Sequence, residues 1–411
     1  VTGLVGSEMC IRDRTNTGLV LFSKNQQFML TTDSDVFSPL TAKINALSTY
    51  NFNFSTNPIS LGTTLGFLDN AGKYSRFFEM AQVQREGEPQ VIEQSAVVSR
   101  LFEKDLKLIS NSRENSVIFF SEEGTSTLYG YRYFDQITER KLASWFKWTL
   151  TGTIQYHCMQ DDFLYVVVRN NGKDQLLKYA IKMDSNTGSI AEHRVHLDHL
   201  IFENLPIQST DPNTGVVTHG YNATTNKTFF PKRNGYESTT HQLVAYSTND
   251  HDTGTSAMGR FTTDVVINGS NIEIAGDWRS TAVCIGYLFT MEVELPTIYY
   301  LTQSGENWRA DTRANTILHR VKFGFGPVGL YETILKRTGR VDYTEQFELT
   351  GADEYQADTS SINNDNNLRT VPIYDRNINT NLTIKSTHPA PATIHNMTWE
   401  GVYNNNFYQR V

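Results

Sequence analysis

Three groups of residues have the types and spacing to do chemistry. Gly324, Gly326 and Gly329 spell G-x-G-x-x-G after a strand-like run. In a dinucleotide-binding turn that spacing lets the backbone approach a pyrophosphate at a helix N-terminus. No helix pattern opens there. Tyr331 to Lys336 runs on to Thr338-Gly339, with strand-like residues on both sides. A tight glycine turn between strands is the expectation, and no cofactor is assigned. His193, His196 and His199 recur every third residue beside Glu192 and Asp198. On a strand such a spacing alternates faces, and on a helix it drifts about 60° per step. Neither gathers the rings on one ion, so a solvated polar segment is expected rather than a zinc site. Asp250, Asp252 and Gly254 begin like a calcium loop, but glycine takes the third ligand position and no glutamate closes it. There is no nucleophile elbow and no P-loop. Carboxylates are plentiful, yet nothing singles out the facing pair a glycosidase needs. No catalytic, cofactor-binding or metal residue is therefore assigned.

The elements that would position such residues read as strands. Leu19 to Phe22 is followed by Gln27 to Leu30, Asn115 to Phe120 by Leu128 to Phe134, and Phe163 to Val168 by Leu176 to Ile181. Each pair is two apolar runs joined by a turn, the pattern of a β-hairpin. Asn171-Gly172 is the sharpest turn signal, because both residues tolerate positive φ. The first strands of these units begin near Leu19, Leu65, Val117 and Leu164, about 46 to 52 residues apart. A supersecondary unit repeated at that period suggests propeller blades, small antiparallel sheets that bury their faces only against neighbours. Internal identity between the repeats is weak, and an irregular all-β domain is the other reading. The one helix expectation is Gln90 to Phe102, where Val91, Val98 and Leu101 stand near helical spacing.

Beyond residue 190 the period stops. Polar clusters at Ser209 to Gly215, Thr248 to Thr255 and Ser360 to Asn367 separate further strand-like runs. Thr290 to Leu295 alternates strictly, which predicts one polar and one buried face. The fold class expected is all-β: partial β-propeller blades over 15–190, then a second β-rich region with long polar loops over 191–411.

Composition excludes several classes of function. The chain has 411 residues, 36 Lys and Arg against 44 Asp and Glu, and a net charge of −8. No basic surplus exists to grip nucleic acid along its backbone. At 39% hydrophobic and 12% aromatic it is too apolar for a disordered chain. Its apolar runs are far shorter than the ~20 residues of a membrane helix, so no membrane span is expected. Three cysteines without a Cys-x-x-Cys cannot build a disulfide framework, which fits assembly in a reducing compartment.

Residues 1–14 lack an initiator Met and an apolar signal-peptide core. Gly6 to Arg14 resembles translated sequencing-adapter read-through at the end of a metagenomic contig. On that reading true sequence begins near Thr15, Cys10 is foreign, and an N-terminal portion is missing.

Four stretches together resemble the tail nozzle of short-tailed double-stranded-DNA phages, the tail tubular protein B family. They are Ser75 to Met80 with Ser99-Arg100-Leu101, then Ala143 to Trp148 followed by Gly152. Leu318 to Phe323 with Gly329-Leu330-Tyr331 is the third, and Met397 to Tyr403 the last. They occur in family order over about 15–411, and all are packing signatures rather than catalytic ones. Trp145 and Trp148 are expected to pack between blades.

The resemblance implies a structural virion protein, not an enzyme. It implies a homo-oligomer, a hexameric ring below a tail adaptor of the tail tubular protein A kind, with tail fibres nearby. Double-stranded DNA would pass through the lumen during ejection without specific binding. Assembly would take place in the bacterial host cytoplasm, and the final location would be the virion tail. The alternatives are a carbohydrate-active propeller with two facing carboxylates, and a receptor-binding tip that uses exposed aromatics such as Tyr221, Phe229 and Phe230.

Overall fold

A strand that is apolar at every position has no solvent face and must be covered on both sides. Two strands of the N-terminal part, Leu65–Asp69 and Val117–Ser121, are buried along their whole length. They lie at the heart of the first of two compact units, Val1–Asp184 and Ser185–Val411. The computed structural model describes residues 10–404 apart from 16–17, 33–37, 63, 82–89, 103–104, 137–138, 182–188, 191–192, 206–208, 211–216, 234–235, 237–240, 248–259, 305–306 and 348–366. Asp250, Asp252 and Gly254 lie outside the described residues. The fold is all-β. Among the described residues the helical turns are short 3-10 segments at Ala96–Val98 and Asn377–Asn379.

The first unit is a succession of antiparallel meanders in chain order. Sheet 1 holds β1 (Cys10–Thr15), β2 (Gly18–Phe22), β3 (Gln27–Thr32) and β4 (Ala42–Ser48). Sheet 2 holds β5 (Ile59–Ser60), β6 (Leu65–Asp69), β7 (Arg76–Met80) and β8 (Val91–Glu93). Sheet 3 holds β9 (Leu108–Ser112), β10 (Val117–Ser121), β11 (Thr127–Gln136) and β12 (Glu139–Thr149). Sheet 4 holds β13 (Thr153–Gln160), β14 (Phe163–Asn170) and β15 (Lys173–Ala180). Four-stranded meanders in chain order are the topology of propeller blades. Strand β1 covers five residues of the adapter-like segment and pairs with β2 across an irregularity between Ile11 and Asp13.

The period read from the sequence is present, but its phase differs. The runs near Leu19, Leu65, Val117 and Leu164 are the second strands of their sheets, β2, β6, β10 and β14, not the first. Second strands are central and mostly apolar. The flanking strands are more polar, so they stood out less. The hairpin at Asn171-Gly172 has φ of 47° and 77° at the two residues, as a two-residue primed turn requires. The helix expected over Gln90 to Phe102 does not form. That segment is strand β8, then turns around Ala96–Val98. Its apolar residues serve two different cores: Val91 packs with Phe78 and Met80, whereas Leu101 and Phe102 pack with Phe77 and Phe120.

Alternation within single strands divides the core into three seams. Leu65 and Phe67 of β6 join Val20 and Phe22 of β2 between sheets 1 and 2. Leu68 and Phe77 turn to the other side and meet Ile118 and Phe120 of β10. Val117 and Phe119 face onward to Leu164, Val166 and Val168 of β14. The two inner sheets are thus clamped on both faces, each seam lined by aromatic rings in edge or tilted contact.

The second unit contains a small pair, β16 (Ser189–Ile190) with β17 (His193–Arg194), and two sandwiches. In the first sandwich, one sheet is ordered β18 (Asp198–Leu205), β26 (Thr281–Tyr287), β22 (Leu243–Ser247), β23 (Phe261–Thr262). Its partner is ordered β19 (Ser209–Thr210), β20 (Val217–Asn222), β21 (Lys227–Pro231), β25 (Asn271–Ala275), β24 (Val265–Asn268). Phe230, Trp278, Ile272 and Ile285 fill the space between them. In the second sandwich, one sheet is ordered β27 (Met291–Glu294), β34 (Thr380–Ser386), β31 (Tyr331–Arg337), β32 (Tyr343–Phe347). It covers the long sheet β33 (Asn367–Arg376), β30 (Asn315–Val328), β35 (Ala392–Asn404), with Phe323, Phe325, Tyr331 and Ile384 between. A further pair, β28 (Leu301–Ser304) and β29 (Asn307–Ala310), completes the set. Strand β27 is an edge, and Val293 on its apolar side is exposed, against the buried face that strict alternation predicted.

The clamped sheets predict a contrast. Phe77→Ala, in a seam covered on both sides, should cost about 3–5 kcal/mol. Phe163→Ala lies on the outer face of sheet 4 and should cost under about 1 kcal/mol. Urea unfolding of the two variants checks the difference.

Candidate functional site

The elements that carry the sequence resemblance converge on packing positions. Trp145 and Trp148 are an odd number of residues apart on β12, so they point to opposite faces. Trp145 lies 4.3 Å from Tyr131 between ring centroids and also meets Phe77, Phe102 and Phe120 between sheets 2 and 3. Its indole N–H donates to Gln94 O at 3.3 Å. Trp148 faces the next seam, against Phe119 and Tyr179. Both act as blade packing. Between them Phe146 lies across its cross-strand partner Gly130, where a Cβ would sit 2.0 Å from the ring.

One ionic cluster pins sheet 2 to sheet 3. Glu79 on β7 is buried, yet it is fully satisfied. Thr64 Oγ1 donates to Glu79 Oε1 at 2.6 Å and Gln94 Nε2 donates to Oε2 at 2.9 Å. Arg140 of β12 forks over the same carboxylate, with Nη2 at 3.0 Å from Oε1 and Nη1 on Oε2. Asp135 accepts from the other side of the guanidinium at 2.7 and 2.9 Å. Burial pushes the Tyr133 hydroxyl in this group up to about 12, so it stays protonated. A carboxylate held by three donors and a guanidinium held by two carboxylates leave no free acid or base. The cluster is a clasp between blades.

The third and fourth resembling segments are neighbours in space. Val321 pairs with Trp399, Lys322 with Thr398 and Arg320 with Glu400 along β30 and β35. Arg320 Nε stands 2.6 Å from Glu400, and Lys322 contacts the same carboxylate. The Lys322 hydrogen bond, reinforced by Arg320, holds the Glu400 carboxyl below its usual range. The register slips at His319, and it is there that Gly401 is needed: a Cβ would meet Ile317 O at 2.2 Å.

The candidate chemical groups are dispersed. Gly324 and Gly326 are not in a turn. They lie inside strand β30, and the partner residues Asn396 and His395 occupy the space a Cβ would take. Only Gly329 stands at the connection to β31, against Ala390. The glycine pattern thus serves strand packing and not a phosphate. Of the three histidines, the side chain of His193 lies outside the described residues, as does Glu192; His196 donates its backbone N–H to Pro389 O, and His199 sits at φ 53° in an irregularity of β18, its ring 5.5 Å from Tyr287. No group of three metal-ligating side chains is found among the described residues. Of the aromatics considered for a receptor tip, Phe230 is core. Tyr221 donates to Asn226 Oδ1 at 2.8 Å and is covered by Arg279. A cleft of about 390 Å³ opens between the β9–β10 turn and β11–β12, lined by Glu114, Asn115, Arg132, Tyr133, Phe134 and Leu142 among others. Among the described residues, Glu114 is the single carboxylate on its wall.

Stacked antiparallel sheets, seams of aromatic rings and ion pairs spent on joining strands define a structural β protein. The chain belongs to the bacteriophage nozzle protein family, whose sequence model matches residues 14–410. It is a structural component of the phage tail, located in the virion. No curated protein sequence matches it. Among solved structures it is similar to exo-β-1,3-galactanase of Phanerochaete chrysosporium. The complex with β-1,3-galactotriose is 9% identical over 95% of this chain and 80% of that one, with a TM-score of 0.23. The galactose complex is 8% identical over 93% and 78%, with a TM-score of 0.22. Overlaps this low do not establish a shared fold or activity. No helix among the described residues is long and apolar enough to cross a membrane.

Two measurements test this account of the seams. Arg140→Met leaves buried Glu79 without its cation and should destabilise the first unit by about 3–5 kcal/mol. His157 is buried between sheets 3 and 4 with Ser110 Oγ at 2.7 Å from Nδ1, and burial holds it down to about 4. An unfolded histidine takes a proton near 6.5, so the unfolded state binds more protons between those values. Stability of the first unit should therefore fall as pH drops from 6.5 to 4, by up to about 3 kcal/mol. His157→Gln should flatten that slope in urea titrations across the range.

Proposed function

We propose that this chain is a subunit of the tail nozzle, of the tail tubular protein B kind. In this reading copies assemble in the host cytoplasm into a closed ring, hexameric in the resemblance, beneath the adaptor ring and beside the tail fibres. The ring conducts double-stranded DNA during ejection and performs no bond-making step. The observation that carries it is the family match over residues 14–410, which spans both compact units.

The physics is consistent with a conduit. A duplex slides where few of its phosphates are neutralised, because affinity grows with each phosphate contact. The chain carries a net charge of −8. Several of its exposed cations are already engaged by neighbouring carboxylates: Arg169 by Asp174 at 2.7 Å, Arg279 by Asp277 at 2.6 Å and Arg369 by Glu345 at 2.7 Å. The carbohydrate-active alternative draws no support from the cleft at Glu114, which offers one carboxylate among its described residues where retaining or inverting chemistry uses two.

Mass photometry and cryo-electron microscopy of the chain, alone and with the adaptor ring of its phage, test the reading. A closed ring around an open axial channel is expected. A chain that stays monomeric at every concentration and never joins the adaptor would contradict it.

A further inference from the structure

At one end of the second sandwich two turns lie side by side. Arg337 to Tyr343 joins β31 to β32, and Asn377–Asn379 joins β33 to β34. Thr338 donates its backbone N–H to Asn379 O at 2.9 Å, and Arg340 stands 3.9 Å from Asp375. The Arg340 N–H closes the first turn on Arg337 O at 3.0 Å. The pair of turns is thus a tied, pre-shaped unit.

Both turns expose large hydrophobic side chains. Val341 is 87% exposed and Ile378 57%, one at each turn. Tyr374, at φ 51° in the irregular part of β33, is 65% exposed, its ring stacked on His319. Tyr343 opens beside them. Around this apolar tip stand the exposed Lys336, Arg340 and Arg376, against Asp342 and the half-buried Asp375, while Arg337 is half-buried and donates to Ile373 O at 3.4 Å. The Arg376 backbone N–H, with Arg340 and Arg337 nearby, holds the Asp375 carboxyl below its usual range. In a chain of net charge −8, the local surplus of cations here runs against the whole.

Exposed aliphatic side chains at both turns, with exposed tyrosines and Arg and Lys next to them in the chain, have the chemistry an anionic bilayer surface takes up. Aliphatic groups enter the acyl boundary, aromatic rings settle at headgroup level and cations meet phosphate. A nucleic-acid backbone would use the cations but gain nothing from Val341 and Ile378. We propose that this end of the second sandwich is an interfacial membrane-docking tip that seats on an anionic lipid surface. The docking is peripheral, with no spanning segment. It stands independently of ring formation, so a failure of one leaves the other intact.

Flotation of the full chain with phosphatidylcholine vesicles containing about a third phosphatidylglycerol tests it. Binding is expected to these vesicles, to weaken with added salt, and to be at least about tenfold poorer with phosphatidylcholine alone. The V341S/I378S double variant, altered only at exposed tips, should lose about tenfold or more in partitioning while keeping the parent's melting temperature. As a second variant, V341W should be quenched by brominated lipid. Absence of binding, or binding unchanged in V341S/I378S with no quenching of V341W, would overturn the proposal. So would capture of heparin or duplex DNA that responds to Arg340→Glu and ignores the apolar pair, which marks a polyanion site instead.

Discussion

The first unit depends on one constraint: a sheet with two apolar faces is stable only between two other sheets. Phe77 and Phe78 are consecutive on β7, so they point to opposite sides, and each is buried in a different seam. The same holds for Phe119 and Phe120 of β10. No such sheet could stand alone in water, because covering one face leaves the other exposed. Blade order, seam composition and the inter-blade clasp at Glu79 and Arg140 all follow from that arrangement. It also sets the direction in which a unit of this kind can grow. The outer face of sheet 4 carries Phe163 and Tyr165 beside Lys178, whose ammonium lies 3.7 Å from the Phe163 ring centre. The long side chain covers apolar surface there.

Groups that look chemical in the sequence are mostly spent on joining strands. Glu79, Glu345 and Glu400 each meet a guanidinium on a neighbouring strand or sheet. The glycines of the G-x-G-x-x-G run make room for Asn396, His395 and Ala390, which is strand packing at close range. His157 is kept neutral by burial, where it fills volume and holds Ser110. This is the chemistry expected of a tail component whose work is to hold shape.

Much of this was legible from residue order alone, and the limits have physical causes. Hairpins with central apolar strands and an Asn-Gly turn were read at the right places, because apolar runs and positive-φ residues are local signals. Phase was not, since the first strands of the sheets, such as β5 and β9, are short or polar and owe their form to a partner strand. The helix reading at Gln90 to Phe102 failed for a related reason: apolar residues that serve two separate seams imitate one helical stripe. Trp145 and Trp148 were read correctly as blade packing. The Glu79–Arg140 clasp was invisible, because its two residues are 61 positions apart and Arg140 lies outside every stretch that stood out in the sequence. The adjacency of Leu318 to Phe323 with Met397 to Tyr403 was equally hidden, although both segments had stood out separately.

Native-state hydrogen exchange of the intact chain bears most directly on the central claim. If the inner sheets owe their order to neighbours on both sides, the amides of β6, β7 and β10 should exchange through one shared opening. Its free energy should match the global unfolding of the first unit, while β4 and β15 open locally and sooner. Separate opening energies for β6 and β10, each well below global unfolding, would show that the sheets are independent and would contradict the account.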